Sequence, residues 1–309
     1  MNPYEIISIV GPTATGKTGL AVAVADALHT EIISADSRQV YRGMDIGTGK
    51  DLCEYTINGH TIPYHLINIL DAGDKYNLFE FQQDFTQVYQ NIKQRGLTPV
   101  LCGGTGLYTE SVLKGYRLLP VPQNDALRAE LSGKTLTELT DILSTMQSLH
   151  NTTDVDTVKR AIRAIEIAQY QKEHADMETE IKPIHALIVA MDIDRELRRE
   201  RITKRLHARL NEGMIDEVQT LLDQGVSEET LVYYGLEYKF VTMYLTGQLS
   251  YNEMVSQLEI AIHQFSKRQM TWYRGMERRG FKLHWLPVTM PISDRVDQIL
   301  TWYQTGDNG

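Results

Sequence analysis

A chain of 309 residues, 42% hydrophobic and 23% charged, has the composition of an ordinary globular protein, with material for one large or two ordinary domains. Its net charge of −9 argues against indiscriminate nucleic-acid binding. No apolar run approaches the roughly 18–20 residues of a membrane helix, and no signal-peptide pattern opens the sequence. Cys53 and Cys102 give neither metal spacing nor a disulfide framework, so a cytoplasmic location away from membranes is the expectation.

The first predicted strand is the β-branched run Ile6–Val10, and it leads into Gly11-Pro-Thr-Ala-Thr-Gly-Lys-Thr18, a match to G-x-x-x-x-G-K-[ST]. Leu20, Val24 and Leu28 then recur at helical spacing. Strand, glycine-rich turn and helix is the context this motif needs. Backbone N–H groups of the loop and the helix N-terminus surround an anionic oxygen cluster, Lys17 adds positive charge, and the Thr18 hydroxyl is placed to hold Mg²⁺. The expected ligand is a phosphate or diphosphate, bound by Gly11, Thr13, Ala14, Thr15, Gly16, Lys17 and Thr18.

A second strand, Glu31–Ala35, ends in Asp36-Ser37-Arg38-Gln39. Residues 41–75 lack sustained periodicity and read as loops with short strands, one of them Thr61–Ile69. Phe81, Phe85, Val88 and Ile92 mark an amphipathic helix that stops at Arg95-Gly96. The strand Pro99–Cys102 runs directly into Gly103-Gly104-Thr105-Gly106. From about residue 115 helical patterns take over, among them Val158, Ile162, Ile165 and Ile167 beside Lys159, Arg160 and Arg163; residues 171–183 read as a surface connection. Ala186–Asp192 is again a near-continuous apolar run. Ile202, Leu206 and Leu210, then Met214, Val218 and Leu221, give two helices. Ser250-Tyr-Asn-Glu253 is a capping box opening a long helix on Met254, Leu258, Ile262, Phe265, Gln269 and Trp272. Lys282–Pro287 reads as a last strand and a short helix follows from Ser293. The alternation predicts an α/β fold: a P-loop parallel sheet flanked by helices over residues 1–115 and 185–309, with a helical insertion at 116–184.

If the strands are parallel, the phosphate loop, Asp36, Gly103-Gly104-Thr105 and Asp192 face one rim. Asp36 has the place of a general base or of a water-mediated Mg²⁺ partner, though an isolated aspartate is as often a cap. Asp192 reads as structural or capping. Spacing alone carries the reading to an Mg²⁺-assisted transferase or hydrolase acting on a phosphorylated substrate.

Taken together, the motifs resemble the tRNA isopentenyltransferase family over nearly the whole chain. Gly11–Thr18 is similar to its phosphate loop, Ile33–Ser37 with Gln39–Thr48 to a second signature, and Gly103–Tyr108 to a third. Arg160 with Arg163–Glu166 resembles the helix of the insert that faces tRNA, and Lys267–Gln269 with Thr271–Arg274 the C-terminal signature. The resemblance implies transfer of a dimethylallyl group from dimethylallyl diphosphate to the exocyclic amine of the adenine on the 3′ side of the anticodon, with Mg²⁺ on Thr18 and a monomeric enzyme. It implies Asp36 as base and Thr105 as its aligning partner, and tRNA contacts from Asp36, Ser37, Arg38, Gln39, Thr105, Arg128, Lys159, Arg160 and Arg163 in the anticodon stem-loop. Departures stand at Gly49-Lys50-Asp51, where the family usually has Ala-Lys-Pro, and at Gly235–Lys239. The rivals are a prenyltransferase using free AMP or ADP, a small-molecule kinase and a non-catalytic P-loop RNA-binding module.

Overall fold

The computed structural model describes residues 3–146, 155–174, 176 and 182–306. The chain divides into two compact units, Met1–Gly115 with Lys182–Gly309, and Tyr116–Ile181. In the first, β1 (Ile6–Val10) leads to α1 (Lys17–Ala27) and β2 (Ile32–Ser34). After a single 3-10 turn come β3 (Thr56–Ile57), β4 (His60–Thr61) and β5 (Tyr64–His65), then α2 (Leu78–Gln94), β6 (Val100–Gly103) and α3 (Gly106–Leu113). The second unit holds α4 (Asp125–Leu131), α5 (Leu136–Met146) and α6 (Val158–Glu173). The chain returns to the first unit with β7 (Ala186–Asp192), α7 (Arg195–Asn211), α8 (Met214–Asp223), α9 (Glu228–Tyr234), α10 (Leu236–Leu245), α11 (Tyr251–Arg278), β8 (Leu283–Pro287) and α12 (Ile292–Thr305).

The sheet has six strands in the order β5-β2-β6-β1-β7-β8, and every pairing in it is parallel. Helices cover both faces, which is why β1 is apolar at nearly every position instead of alternating. Ile6 and Val10 join Ile33, Leu101 and Ile188 in the cluster packed by α2, α3 and α7 to α11. Ile7 and Ile9 join Ile32, Val100 and Val189 in the cluster packed by α1 and α12. Each such full burial stabilises by roughly 1.5–3 kcal/mol. Among the described residues no helix is long and apolar enough to cross a membrane.

Four expectations need correction. The segment Thr61–Ile69 is not one strand: it holds the end of β4 at Thr61 and β5 at Tyr64–His65, and the positive φ of Leu66 and Asn68 (62° and 56°) stops the extended run after β5. On α11 the buried residues step by four, Met254, Leu258, Ile262, Ser266 and Met270, and Phe265 is left 40% exposed. On α6 Val158 is likewise exposed, the buried positions being Ala161, Ile165, Glu166 and Ala168. Of the expected connection at 171–183, residues 171–173 are instead the end of α6, and 175 and 177–181 lie outside the described residues.

Candidate active site

A parallel sheet puts the carboxyl ends of its strands on one edge, and the crevice opens where successive connections diverge to opposite sides. Here the chain leaves β1 for β2, then leaves β6 to reach β7 on the other side of β1. The loops after β1, β2 and β6 therefore meet.

The phosphate loop is built to take an anion. Gly16 caps α1 at φ 75°, a left-handed turn that costs glycine little, and makes no side-chain cap bond. No acidic residue stands in the first turn of the helix, so its N-terminal N–H groups and partial positive charge face the loop. The Thr15 hydroxyl donates to the Pro12 carbonyl at 2.8 Å, fixing the bend. Lys17 donates from Nζ to the same carbonyl at 2.7 Å. Burial of that ammonium lowers its pKa to about 8, against the opposing pull of Asp36 and Glu54 and with Arg205 adding to the fall. A bound diphosphate would replace the single carbonyl partner with full negative charge.

Gly103 lets β2 end against β6, since a Cβ there would lie 2.8 Å from Ala35 Cα. The turn that follows carries Asp36, whose Oδ1 accepts from the Arg38 N–H at 3.0 Å. Asp36 thus does cap its own turn, and it keeps Oδ2 for other use. A Cβ at Gly104 would sit 3.7 Å from that Oδ2 and 2.9 Å from Gln269 Nε2. The Thr105 hydroxyl accepts from the Ser37 N–H at 3.1 Å and donates to Ser37 Oγ at 3.4 Å, tying the β2 turn to the β6 turn. Gln39 points inward, accepting from the Ser34 hydroxyl (3.2 Å) and donating to the Gly49 carbonyl (3.1 Å).

Gln269 of α11 completes the assembly. Its Oε1 accepts from the Thr13 N–H and its Nε2 donates to the Gly104 carbonyl, both at 2.9 Å. One amide therefore spans the phosphate loop and the turn beside Asp36. The neighbouring Trp272 packs on Gly106, where a Cβ would lie 2.7 Å from its Nε1. The sequence alone placed Gln269 on the helix's apolar stripe; nothing in its spacing signals the two bonds.

Sequence reasoning also missed the cluster after residue 48. Asp51, at φ 45°, pairs with Arg205 (2.6 Å) and Arg209 (3.2 Å), and Arg205 also reaches the Thr13 hydroxyl at 3.3 Å. Gly49 leaves room for both guanidinium groups, which gives the departure at 49–51 a physical reason. Lys50 is fully buried, its ammonium bonded to the Tyr41 carbonyl, Asp45 (2.6 Å) and Asn68. Glu217 holds the adjoining turn, accepting from the N–H groups of Asp45, Ile46 and Gly47 and from the Tyr238 hydroxyl. Burial pushes the Glu237 carboxyl upward, opposed by Arg209 and Arg205. Asp192 is exposed and ends β7 paired with Pro287, and among the described residues its side chain caps no helix; the cap of α7 is Asp194, which accepts from the N–H groups of Glu196 and Leu197.

The other named cations belong to the second unit. Arg128 and Arg163 both bind Glu166, whose side chain is 1% exposed, at 2.7–2.9 Å. Burial alone would raise that carboxyl, but Arg128, the Asn124 N–H and Arg163 bring it to about 2. Arg163 also donates to the carbonyls of Val121 and Pro122. These two arginines hold their lobe together and leave about a third of their side-chain surface exposed. Arg160 pairs with Asp156 at 2.5 Å and is more than half exposed, and Lys159 is exposed.

Mg²⁺ takes oxygen ligands, retains water, and needs only one or two protein groups when a substrate phosphate shares it. The Thr18 hydroxyl, beside Lys17 at the start of α1, fits that demand. Among the described residues no group of three or more His, Cys, Asp or Glu could hold a metal by itself.

Comparison with known proteins bears on what binds here. Residues 39–276 match the model of the IPP transferase family, and residues 4–61 that of isopentenyl transferase. A protein of Phocaeicola vulgatus named tRNA dimethylallyltransferase 2 is 61% identical over 305 residues, 99% of each chain. One of Parabacteroides distasonis named tRNA dimethylallyltransferase 1 is 62% identical over 296 residues, 96% of each. The crystal structure of a tRNA isopentenylpyrophosphate transferase from Bacillus halodurans superposes with a TM-score of 0.70 at 30% identity, covering 97% of both chains. A eukaryotic dimethylallyltransferase acting on tRNA shares the fold at a TM-score of 0.78, with 20% identity over 97% of this chain and 79% of its own.

Proposed function

The chain belongs to the IPP transferase family, and we propose that it transfers a dimethylallyl group from dimethylallyl diphosphate to the exocyclic amine of the adenine 3′-adjacent to a tRNA anticodon, as a monomer in the cytoplasm. The observation that supports this reading is the bridge through Gln269, which joins the loop Gly11–Thr18 to the turn beside the Asp36 carboxylate, whose Oδ1 alone accepts from Arg38 N–H among the described residues. A free AMP or ADP acceptor, or a kinase reaction, is not favoured by relatives that are named for tRNA.

The donor's diphosphate lies in the loop Gly11–Thr18, held by backbone N–H groups, the α1 N-terminus and Lys17. As the allylic C–O bond breaks, its electron pair passes to the diphosphate, and these same groups stabilise the growing charge. Mg²⁺ held by Thr18 and the diphosphate would neutralise further charge on the leaving group. The adenine leaves its stack to enter the site, as base chemistry requires. Its amine is weak because the lone pair is delocalised into the ring. Asp36 accepts the amine proton as the C–N bond forms, and Thr105, bonded to Ser37, keeps the Asp36 turn in register. The products are isopentenyladenosine in tRNA, diphosphate and a protonated Asp36 that returns its proton to solvent.

Incubation with dimethylallyl diphosphate, Mg²⁺ and unmodified tRNA, followed by nucleoside mass analysis, tests the activity. Substituting AMP or ADP for tRNA separates the rival acceptor, and EDTA should stop the reaction. Asp36→Ala should cut turnover by about 10²–10⁴ with RNA binding kept; wild-type turnover in that variant would remove Asp36 as the base.

A further inference from the structure

Residues 233 and 234 are both tyrosines, about 100° apart at the end of α9. Tyr234 is fully buried, with its ring 4.4 Å from that of Tyr41 and its hydroxyl donating to the Asp74 carbonyl at 2.7 Å. Tyr233 is left 48% exposed beside Val232, itself 40% exposed. Single exposed aromatics are common and need no explanation. What sets this one apart is what it stands on. The Arg38 guanidinium lies 5.0 Å from the Tyr233 ring centroid and donates from Nη2 to the Tyr233 carbonyl at 3.0 Å. The backbone N–H of the same Arg38 is the group bonded to Asp36 Oδ1. An exposed ring and a cation are therefore fixed, through one residue, to the proposed base.

We propose that Tyr233, backed by Arg38, is a stacking platform for an unpaired nucleobase next to the adenine presented to Asp36. The inference rests on the tRNA reading above and adds a substrate-binding residue to it. Every base has a π-face, and a fixed aromatic with a neighbouring arginine is the means by which single-stranded RNA is held without base pairing. When the acceptor adenine turns out of the anticodon loop, its neighbour loses a stacking partner. A ring two links from Asp36 replaces that partner and ties extrusion to binding. The position is outside every motif quoted from the sequence, and it precedes the segment at which the chain departs from its family pattern.

The test uses the full-length protein, a synthetic unmodified anticodon stem-loop and dimethylallyl diphosphate. Tyr233→Ala should raise KM for the stem-loop by roughly 5- to 100-fold, lower kcat less than threefold, and leave KM for dimethylallyl diphosphate unchanged. Tyr233→Phe and Tyr233→Trp should restore stem-loop KM, because either ring stacks, and Tyr233→Trp fluorescence should be quenched saturably by the stem-loop. An abasic site beside the target adenine should bring wild type and Tyr233→Ala to the same KM. Equal stem-loop KM for wild type and Tyr233→Ala overturns the platform, as does a loss that Tyr233→Phe fails to restore. A donor KM that rises in parallel assigns the residue a structural role and also overturns it. Failure of the tRNA reading looks different: wild type itself binds dimethylallyl diphosphate but leaves the stem-loop unmodified.

Discussion

Replacing Gln269 with leucine keeps its approximate volume and removes both bonds that join the phosphate loop to the Gly104 turn. The residue is 8% exposed, so water reaches the abandoned groups poorly. Leaving a buried donor or acceptor unsatisfied costs about 1–3 kcal/mol each, which makes the Thr13 N–H and the Gly104 carbonyl together worth roughly 2–6 kcal/mol. Part of that loss reads out as lower stability and part as a loosened loop. Urea unfolding should show a lower midpoint at unchanged slope. KM for dimethylallyl diphosphate should rise about 10- to 100-fold, at about 1.4 kcal/mol per decade. Gln269→Glu separates the two halves of the bridge. One carboxylate oxygen still accepts from Thr13, while the other faces the Gly104 carbonyl with no proton between them, so this variant should lose more than half of what leucine loses. If both variants keep wild-type midpoint and donor KM, the bridge carries none of the weight placed on it.

The lowered pKa of Lys17 predicts the pH range of donor binding. Its ammonium is charged below about 8 and loses its proton above, and a bound diphosphate favours the charged form. Calorimetric affinity for dimethylallyl diphosphate should hold from pH 7 to 8 and then weaken, approaching tenfold per pH unit, with proton uptake on binding at pH 8.5; flat affinity to pH 9.5 would contradict this. Glu31 is held at about 2, first by its bonds to Arg95 and then by His65, against the opposing effect of burial. A depressed carboxyl contributes stability in full above its unfolded value near 4.5 and loses it as pH falls through 2. The urea-midpoint gap between wild type and Glu31→Gln should therefore narrow from pH 4.5 toward 2, and a constant gap would show that the pairing is not linked to protonation. Gly49→Ala places a methyl against the Arg205 and Arg209 guanidinium groups at φ 66°, and should lower stability by roughly 1–3 kcal/mol and raise donor KM; crystals showing both arginines unmoved would refute the packing argument.

The strands, α1, α2, α8 and the α11 capping box were legible because burial on two faces, 3.6-residue periodicity and cap chemistry each leave a local trace. Even the β3–β4 hairpin had one, Asn58-Gly59 with both φ positive, overlooked within a polar stretch. The site divides on the same line. The phosphate loop and the turns after β2 and β6 are written consecutively, so sequence finds them. Gln269, Asp51, Arg205 and Glu217 act across 154 to 256 positions, and no window of sequence contains both ends of such a contact. The arginines of the second unit show the opposite case. A basic helix side was legible in the sequence, but not that Glu166 of the same helix engages Arg163 of that side and Arg128 of α4.

The place of β1 in the sheet bears on how the protein is made. Ile6 pairs with Ala186, a partner that leaves the ribosome 180 residues later. At roughly 5–20 residues per second, β1 waits on the order of 10–40 s with one ladder of N–H and carbonyl groups unmatched. For that interval the future centre of the sheet is a raw border, open to any extended peptide nearby. Chaperone capture, slow codons within the intervening helical segment, or aggregation of nascent chains truncated before residue 186 would each trace back to this delay.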